Sequence, residues 1–196
     1  VFMIADRERE ESHAMRRGMM TDDVILRIFR ILNGEEGYEA SMDHALEALG
    51  EMIHPDRLYV LETDGKTVSN TFEWCAPGIE PEIQTLQNKD YQLYMGGWSQ
   101  FLESSTCVLI EDIELLREDD PVDYENLQRL IAAPFYLQGQ IVGFLGADNY
   151  EVNDLINTRE VLETISYFLS FKIRNHKLVR QLEHMSRYDV LTGVHN

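Results

Sequence analysis

The stretch APFYLQGQIVGFLGADN, residues 133–149, decides how this chain is read. Two apolar runs flank Gln138-Gly139, so the segment reads as a β-hairpin turning at that pair. Gly143 and Gly146 leave the second run bare, where another backbone or a bound molecule has room to come close. A sheet is therefore expected in the second half of the chain, and the rest of the sequence must supply its other strands and its cover.

Further strands lie upstream. RLYVLET (57–63) and TVSNTFEWC (67–75) flank Asp64-Gly65, a strong hairpin signal. Strict alternation in the second run puts Val68, Phe72 and Trp74 on one face and Ser69, Thr71 and Glu73 on the other, so one side of the sheet is wetter. TCVLIEDI (106–113) is the next strand.

The cover is helical. Thr21 and two acids precede VILRIFRILNG, where Ile25, Ile28, Phe29 and Leu32 fall at helical spacing and Asn33-Gly34 is the stop. In YEASMDHALEALGEMIH, Met42, Ala45, Leu46, Leu49, Met52 and Ile53 share a face and Pro55 ends the run. Residues 1–20 are charged and Met-rich without a clear stripe and are expected to form an arm or an upstream linker. Residues 82–105 predict two short helices around Gly96-Gly97, and Asp120-Pro121 predicts a helix start with Tyr124, Leu127 and Ile131 on one side.

Thr158 to Arg187 carries no Gly or Pro, and a helix of that length spans about 45 Å, more than a sheet of this size needs for cover. Ile165, Phe168, Lys172, Asn175, Val179 and Leu182 follow a 4-3 spacing, so the helix is expected to pair with its copy in a homodimer, the polar positions fixing register. The alternative is a single helix with a solvated end.

At 196 residues the chain suits one core with long flanking helices, and 44% hydrophobic and 27% charged residues are ordinary for a folded domain. Seventeen Lys plus Arg against 35 Asp plus Glu give a formal charge of -18, which repels phosphate backbones and anionic headgroups; nucleic acid and membrane surfaces are not expected partners. No apolar run approaches the roughly 20 residues of a spanning helix, and the first residues lack a signal peptide's pattern, so a cytoplasmic location is expected. The start without Met and the stop at Asn196 suggest a piece of a longer protein. Cys75 and Cys107 have no metal-ligand spacing and read as buried thiols, the six histidines are scattered, and the acidic run 111–125 lacks a calcium-loop spacing, so no metal site is expected.

The order helix, helix, hairpin, irregular helices, strand, helix, hairpin, long helix resembles a GAF domain of bacterial signalling proteins. EWCAPGIEP (73–81), Trp98 after its Gly pair, VLIEDI (108–113) and APFYLQGQIVGFLGADN (133–149) carry the likeness. The resemblance implies an α+β fold related to PAS domains: an antiparallel sheet flanked by helices, with long helices at both ends. The sensory core is then 21–157, the signalling helix 158–187. YDVLTGVHN (188–196) resembles the D-x-L-T-G-x-x-N opening of a GGDEF domain, the catalytic module of diguanylate cyclases, with Asp189, Leu191, Thr192, Gly193 and Asn196 in place. GTP, Mg and the signature loop of that module would lie beyond Asn196, so this segment is expected to be non-catalytic and to regulate cyclic di-GMP synthesis.

The resemblance also implies a small-molecule cavity on the open face of the sheet. Trp74, Tyr94, Trp98, Phe101, Asp112 and Phe135 are its candidate lining, aromatic walls with polar tips suiting a small planar molecule of unknown identity. Two alternatives stand beside this: a ligand-free dimerisation spacer, and a GAF-type free methionine sulfoxide reductase using Cys75 and Cys107 as its thiols.

Overall fold

In the computed structural model, residues 2–102, 105–111 and 127–187 are described, with side chains from residue 7 to residue 185. Six antiparallel strands form one sheet in the order β3-β2-β1-β6-β5-β4. They are β1 (Arg57–Thr63), β2 (Thr67–Cys75), β3 (Lys89–Asp90), β4 (Val108–Ile110), β5 (Leu130–Leu137) and β6 (Gln140–Asp148). Both expected hairpins form. The β5-β6 turn holds Gln138 at φ 52° and Gly139 at φ 79°, two consecutive left-handed residues whose twist matches the strands they join. In the β1-β2 turn the Asp64 carboxylate accepts the amides of Lys66 and Thr67 at 2.9 and 2.8 Å. Pro134 sits in β5 past the point where β4 stops pairing, so its missing N–H removes no ladder bond.

Each face of the sheet has its own core. On one face pack α1 (Phe2–Leu32), α2 (Tyr38–Ile53) and α5 (Thr158–Arg187), burying Ile28, Leu49, Val60, Leu145, Leu162 and Ile165 among others. Each such side chain contributes about 1.5–3 kcal/mol of transfer free energy, which outweighs the weak propensity of any single helix. On the other face lie α3 (Tyr91–Met95), a 3-10 turn (Gly96–Trp98) and α4 (Ser99–Leu102), packed over Tyr59, Leu61, Val68, Val108 and Phe144.

Strict alternation fails in β2. Val60 pairs with Phe72 but Leu61 pairs with Asn70, leaving Thr71 as a bulge. One extra residue flips every side chain that follows. Val68 therefore packs on the α3 face while Phe72 and Trp74 pack on the helix face, and Asn70 and Glu73 turn toward α3.

Three helical expectations also change. The first helix does not start at Thr21 but runs unbroken from Phe2, and Thr21 is fully buried mid-helix, its hydroxyl accepting the Asn157 amide at 3.0 Å. Good helix formers and pairs such as Arg7–Glu11 carry the exposed first half without an apolar stripe. Leu127 precedes β5 and Ile131 lies in it, because the apolar run at 130–137 is claimed by strand pairing with β6; the rest of that expected helix, and Asp112 and Asp120, lie outside the described residues. In α5 the expected intermolecular seam is partly consumed within the chain. Ile165 is buried in the helix-face core, the Phe168 ring lies 5.0 Å from Phe29, and Lys172 donates to the Leu32 carbonyl that ends α1. Asn175, Val179 and Leu182 are exposed.

Thr21 meets Asn157, Phe29 meets Phe168, and Leu32 meets Lys172, so α1 and α5 run parallel. The unburied half of α1 and the unburied half of α5 therefore leave the pair at opposite ends.

Candidate ligand pocket

Among the described residues, the α3 face does not close over the sheet. A cavity of about 440 Å³ lies between the ends of β1, β2, β5 and β6, the segment 78–86 that follows β2, and the 3-10 turn. Leu61, Leu86, Met95 and Leu130 give it apolar walls. Its polar side is built by Arg57, Tyr59, Asn70, Glu73 and Asp148. Gly146 explains part of this shape: a Cβ there would come within 2.0 Å of the Tyr59 ring, so only glycine lets the tyrosine lie flat across β6. In that position the Tyr59 hydroxyl donates to Asp148 at 3.0 Å.

Arg57 is the hub. Its guanidinium faces Glu73 at 3.4 Å, Glu82 at 3.1 Å and Asp148 at 3.6 Å, and donates to the Glu80 carbonyl at 2.9 Å. Glu73 in turn accepts the amides of Glu82 and Ile83, both at 2.9 Å, and the Asn70 amide at 3.2 Å. The segment that roofs the cavity is thus tied to the sheet through this arginine-carboxylate pair and through the Asn70 backbone amide, which donates to the Leu86 carbonyl at 2.7 Å. Burial pushes the Glu73 carboxyl up, against the opposing pull of those amides and of Arg57. Burial acts more strongly on Asp148, raised to about 7 even though Tyr59 and Arg57 favour its charged form. Asn149, at φ 51°, closes the rim: its side chain accepts the amides of Gln128 and Arg129 and donates to Asp56 at 2.7 Å.

Three buried polar atoms of cavity-lining residues have no hydrogen-bond partner among the described residues. Arg57 Nε faces the Glu73 carboxylate at 3.4 Å, which leaves Trp98 Nε1, a donor, and Asn70 Oδ1, an acceptor, without a counterpart. The residues of these two are 4% and 3% exposed, so bulk water does not satisfy them. A carboxylate only accepts, so Glu73 takes the NH₂ end of Asn70 and turns its oxygen away. Unpaired buried polar groups cost about 1–3 kcal/mol each, so each calls for a partner, an ordered water, an ion or a bound molecule.

No protein-family model matches this sequence, and no curated protein matches it. Its fold is nevertheless shared with solved structures. The GAF domain of an Acinetobacter phosphoenolpyruvate-protein phosphotransferase superposes with a TM-score of 0.63 at 17% identity, over 82% of this chain and 96% of that one. The nlh2 GAF domain of A. aeolicus, in an inactive state, gives 0.61 at 14% identity over 82% and 99%. The chain has the GAF fold. A free methionine-R-sulfoxide reductase from Neisseria meningitidis, in complex with its substrate, matches at 0.60 with 12% identity over 81% and 91%.

Within this GAF fold the five described residues of the six singled out from the sequence are divided between the two faces of the sheet. Trp98 lines the cavity. Tyr94 and Phe101 pack against the same face without lining it. Trp74 lies on the opposite face, carried there by the Thr71 bulge, and Phe135 is buried in the helix-face core, its ring filling the space that Gly143 leaves. Asp112 is outside the described residues. Arg57, Tyr59, Asn70, Glu73 and Asp148 were not singled out, and the one available signal was a run of polar residues inside otherwise apolar strands. Both cysteines are free. Cys107 is buried in the helix-face core and Cys75 sits at the end of β2, and burial raises both thiols, the reverse of what a nucleophilic thiolate needs. Among the described residues no cluster of His, Cys, Asp and Glu is placed to hold a metal ion, and no helix is long and apolar enough to cross a membrane.

Proposed function

We propose that this chain is a regulatory GAF domain that binds a small molecule in the cavity under the 78–86 segment and passes its state along α5 to a diguanylate cyclase module. The observation that carries the ligand is the pair of unsatisfied polar atoms, Trp98 Nε1 and Asn70 Oδ1, on the wall of a partly apolar cavity. The likeness of Tyr188–Asn196 to the opening of a GGDEF domain supports the output. Loss of thiolate character at both cysteines argues against the reductase reading.

The parallel pairing of α1 and α5 gives the signal a route. A ligand that ordered the cavity differently in two states would bias the helices packed behind the same sheet, and only such unequal affinity shifts an equilibrium. The stretch of α5 that leaves the body exposes Leu178, Val179, Leu182 and Met185, a stripe suited to the same helix of a second copy. In that homodimer, two cyclase modules would face each other across the coil.

A thermal-shift screen against cyclic nucleotides and metabolites, with mass spectrometry of co-purifying molecules, tests the ligand. A stabilising compound supports the sensory reading; no shift with any compound favours the ligand-free spacer. Replacing Val179 and Leu182 by Glu is expected to weaken self-association in sedimentation without lowering the melting temperature. An unchanged dimer would move the contact elsewhere.

A further inference from the structure

We propose, resting on the ligand-binding reading above, that the cavity receives an uncharged or cationic planar molecule presenting an amide-like or amidine-like edge, and that it turns away phosphates and carboxylates. The two unsatisfied atoms define the edge. Trp98 Nε1 requires an acceptor and Asn70 Oδ1 requires a donor, and an amide group carries both on one carbon. An amidinium satisfies Asn70 and leaves Trp98 unpaired. A carboxylate or phosphate satisfies Trp98 and sets oxygen against oxygen at Asn70.

Charge points the same way. Among the described lining residues five carboxyl groups, those of Asp56, Glu73, Glu80, Glu82 and Asp148, stand against one cation, Arg57. That guanidinium is already engaged, with Glu73, Glu82 and Asp148 between 3.1 and 3.6 Å away. An entering anion would find no free cation among the described lining residues and would meet repulsion in a poorly solvated space. A volume of about 440 Å³ holds a ring system of modest size, and the apolar walls favour a flat, weakly polar body.

Three isosteric probes separate these requirements: benzamide, benzamidinium and benzoate share a ring and differ only in the edge. Isothermal titration, with ligand-observed NMR for weak binding, is to be run on the full chain. Benzamide and benzamidinium are expected to bind at least roughly tenfold more tightly than benzoate. Trp98→Phe keeps an aromatic ring against Phe144 and removes the N–H. It is expected to weaken benzamide about fivefold and to leave benzamidinium unchanged, with circular dichroism confirming the fold.

Benzoate or cyclic AMP binding as tightly as benzamide overturns the inference, as does benzamide binding that ignores Trp98→Phe. If the three probes fail and the metabolite screen returns an anion, the inference falls while the ligand-binding reading stands. A neutral compound from that screen whose affinity drops in Trp98→Phe, or an amidinium-like cation whose affinity does not, supports it. If nothing of any charge binds, both fall together.

Discussion

The two tryptophans sit on opposite faces of one sheet and show what each face is for. Trp74 lies on the helix face against α2, so close that a Cβ at Gly50 would be 2.7 Å from its ring. Trp98 packs edge-on to Phe144 at 5.1 Å on the α3 face, and its N–H points at no described partner. The first ring fills its space; the second borders a space. A sheet closed by fit on one side and left open and under-satisfied on the other assigns stability to the helix face and recognition to the α3 face, since local rule-breaking concentrates where function lies.

The sharpest way to break that division is a matched pair of truncations. Leu162→Ala removes a side chain buried to 0% exposure in the helix-face core and is expected to cost about 3 kcal/mol in urea unfolding. Leu130→Ala removes the same atoms from the cavity wall, where a void already exists, and is expected to cost about half as much. Equal losses would mean that both faces bear the load alike.

The next effect tests the roof. Glu73→Ala strands two amides, at Glu82 and Ile83, and takes one of three carboxylates from Arg57. The expected cost is about 2 kcal/mol, with hydrogen exchange at Glu82 and Ile83 rising more than exchange in α2. Uniform exchange throughout the domain would show that the segment is not tied through this carboxylate.

The difference between the faces also explains what was legible in the sequence. The helix-face core follows from period 3.6 in α2 and α5 and from the two turn pairs, Asp64-Gly65 and Gln138-Gly139, all local signals. The cavity depends on events that leave no local trace. The Thr71 bulge exchanges the faces of Trp74 and Glu73 without altering the alternating pattern. Arg57 and Asp148 become neighbours, and Asn70 and Trp98 come to line one cavity, only through strand pairing and chain return over distances no spacing rule spans. Gly146 was recognised as bare, but the group that approaches it is the Tyr59 ring, which no sequence rule identifies. The first half of α1 went unseen because propensity and ion pairs hold it, without any burial to pattern it.

The smallest expected effect is a pH dependence confined to the open face. Asp148 is raised to about 7 by burial, whereas an unfolded aspartate titrates near 3.9. Below about pH 4 both states are protonated and the group contributes no slope. Between about 4 and 7 the unfolded chain releases its proton while the folded one retains it, so folding stability falls as pH rises, and the loss is complete above about 7. Neighbouring Glu73, also raised, adds a loss of the same sign. Because the Asp148 side chain is 14% exposed and Arg57 lies 3.6 Å away, the measurable loss is expected to be on the order of 1 kcal/mol rather than the full linkage value. Asp148→Asn keeps an acceptor for the Tyr59 hydroxyl and removes the titration, so it should flatten the stability curve between pH 5 and 7 relative to the parent. A curve that keeps its slope in this variant would place the titrating group elsewhere and would leave the α3 face electrostatically as settled as the helix face.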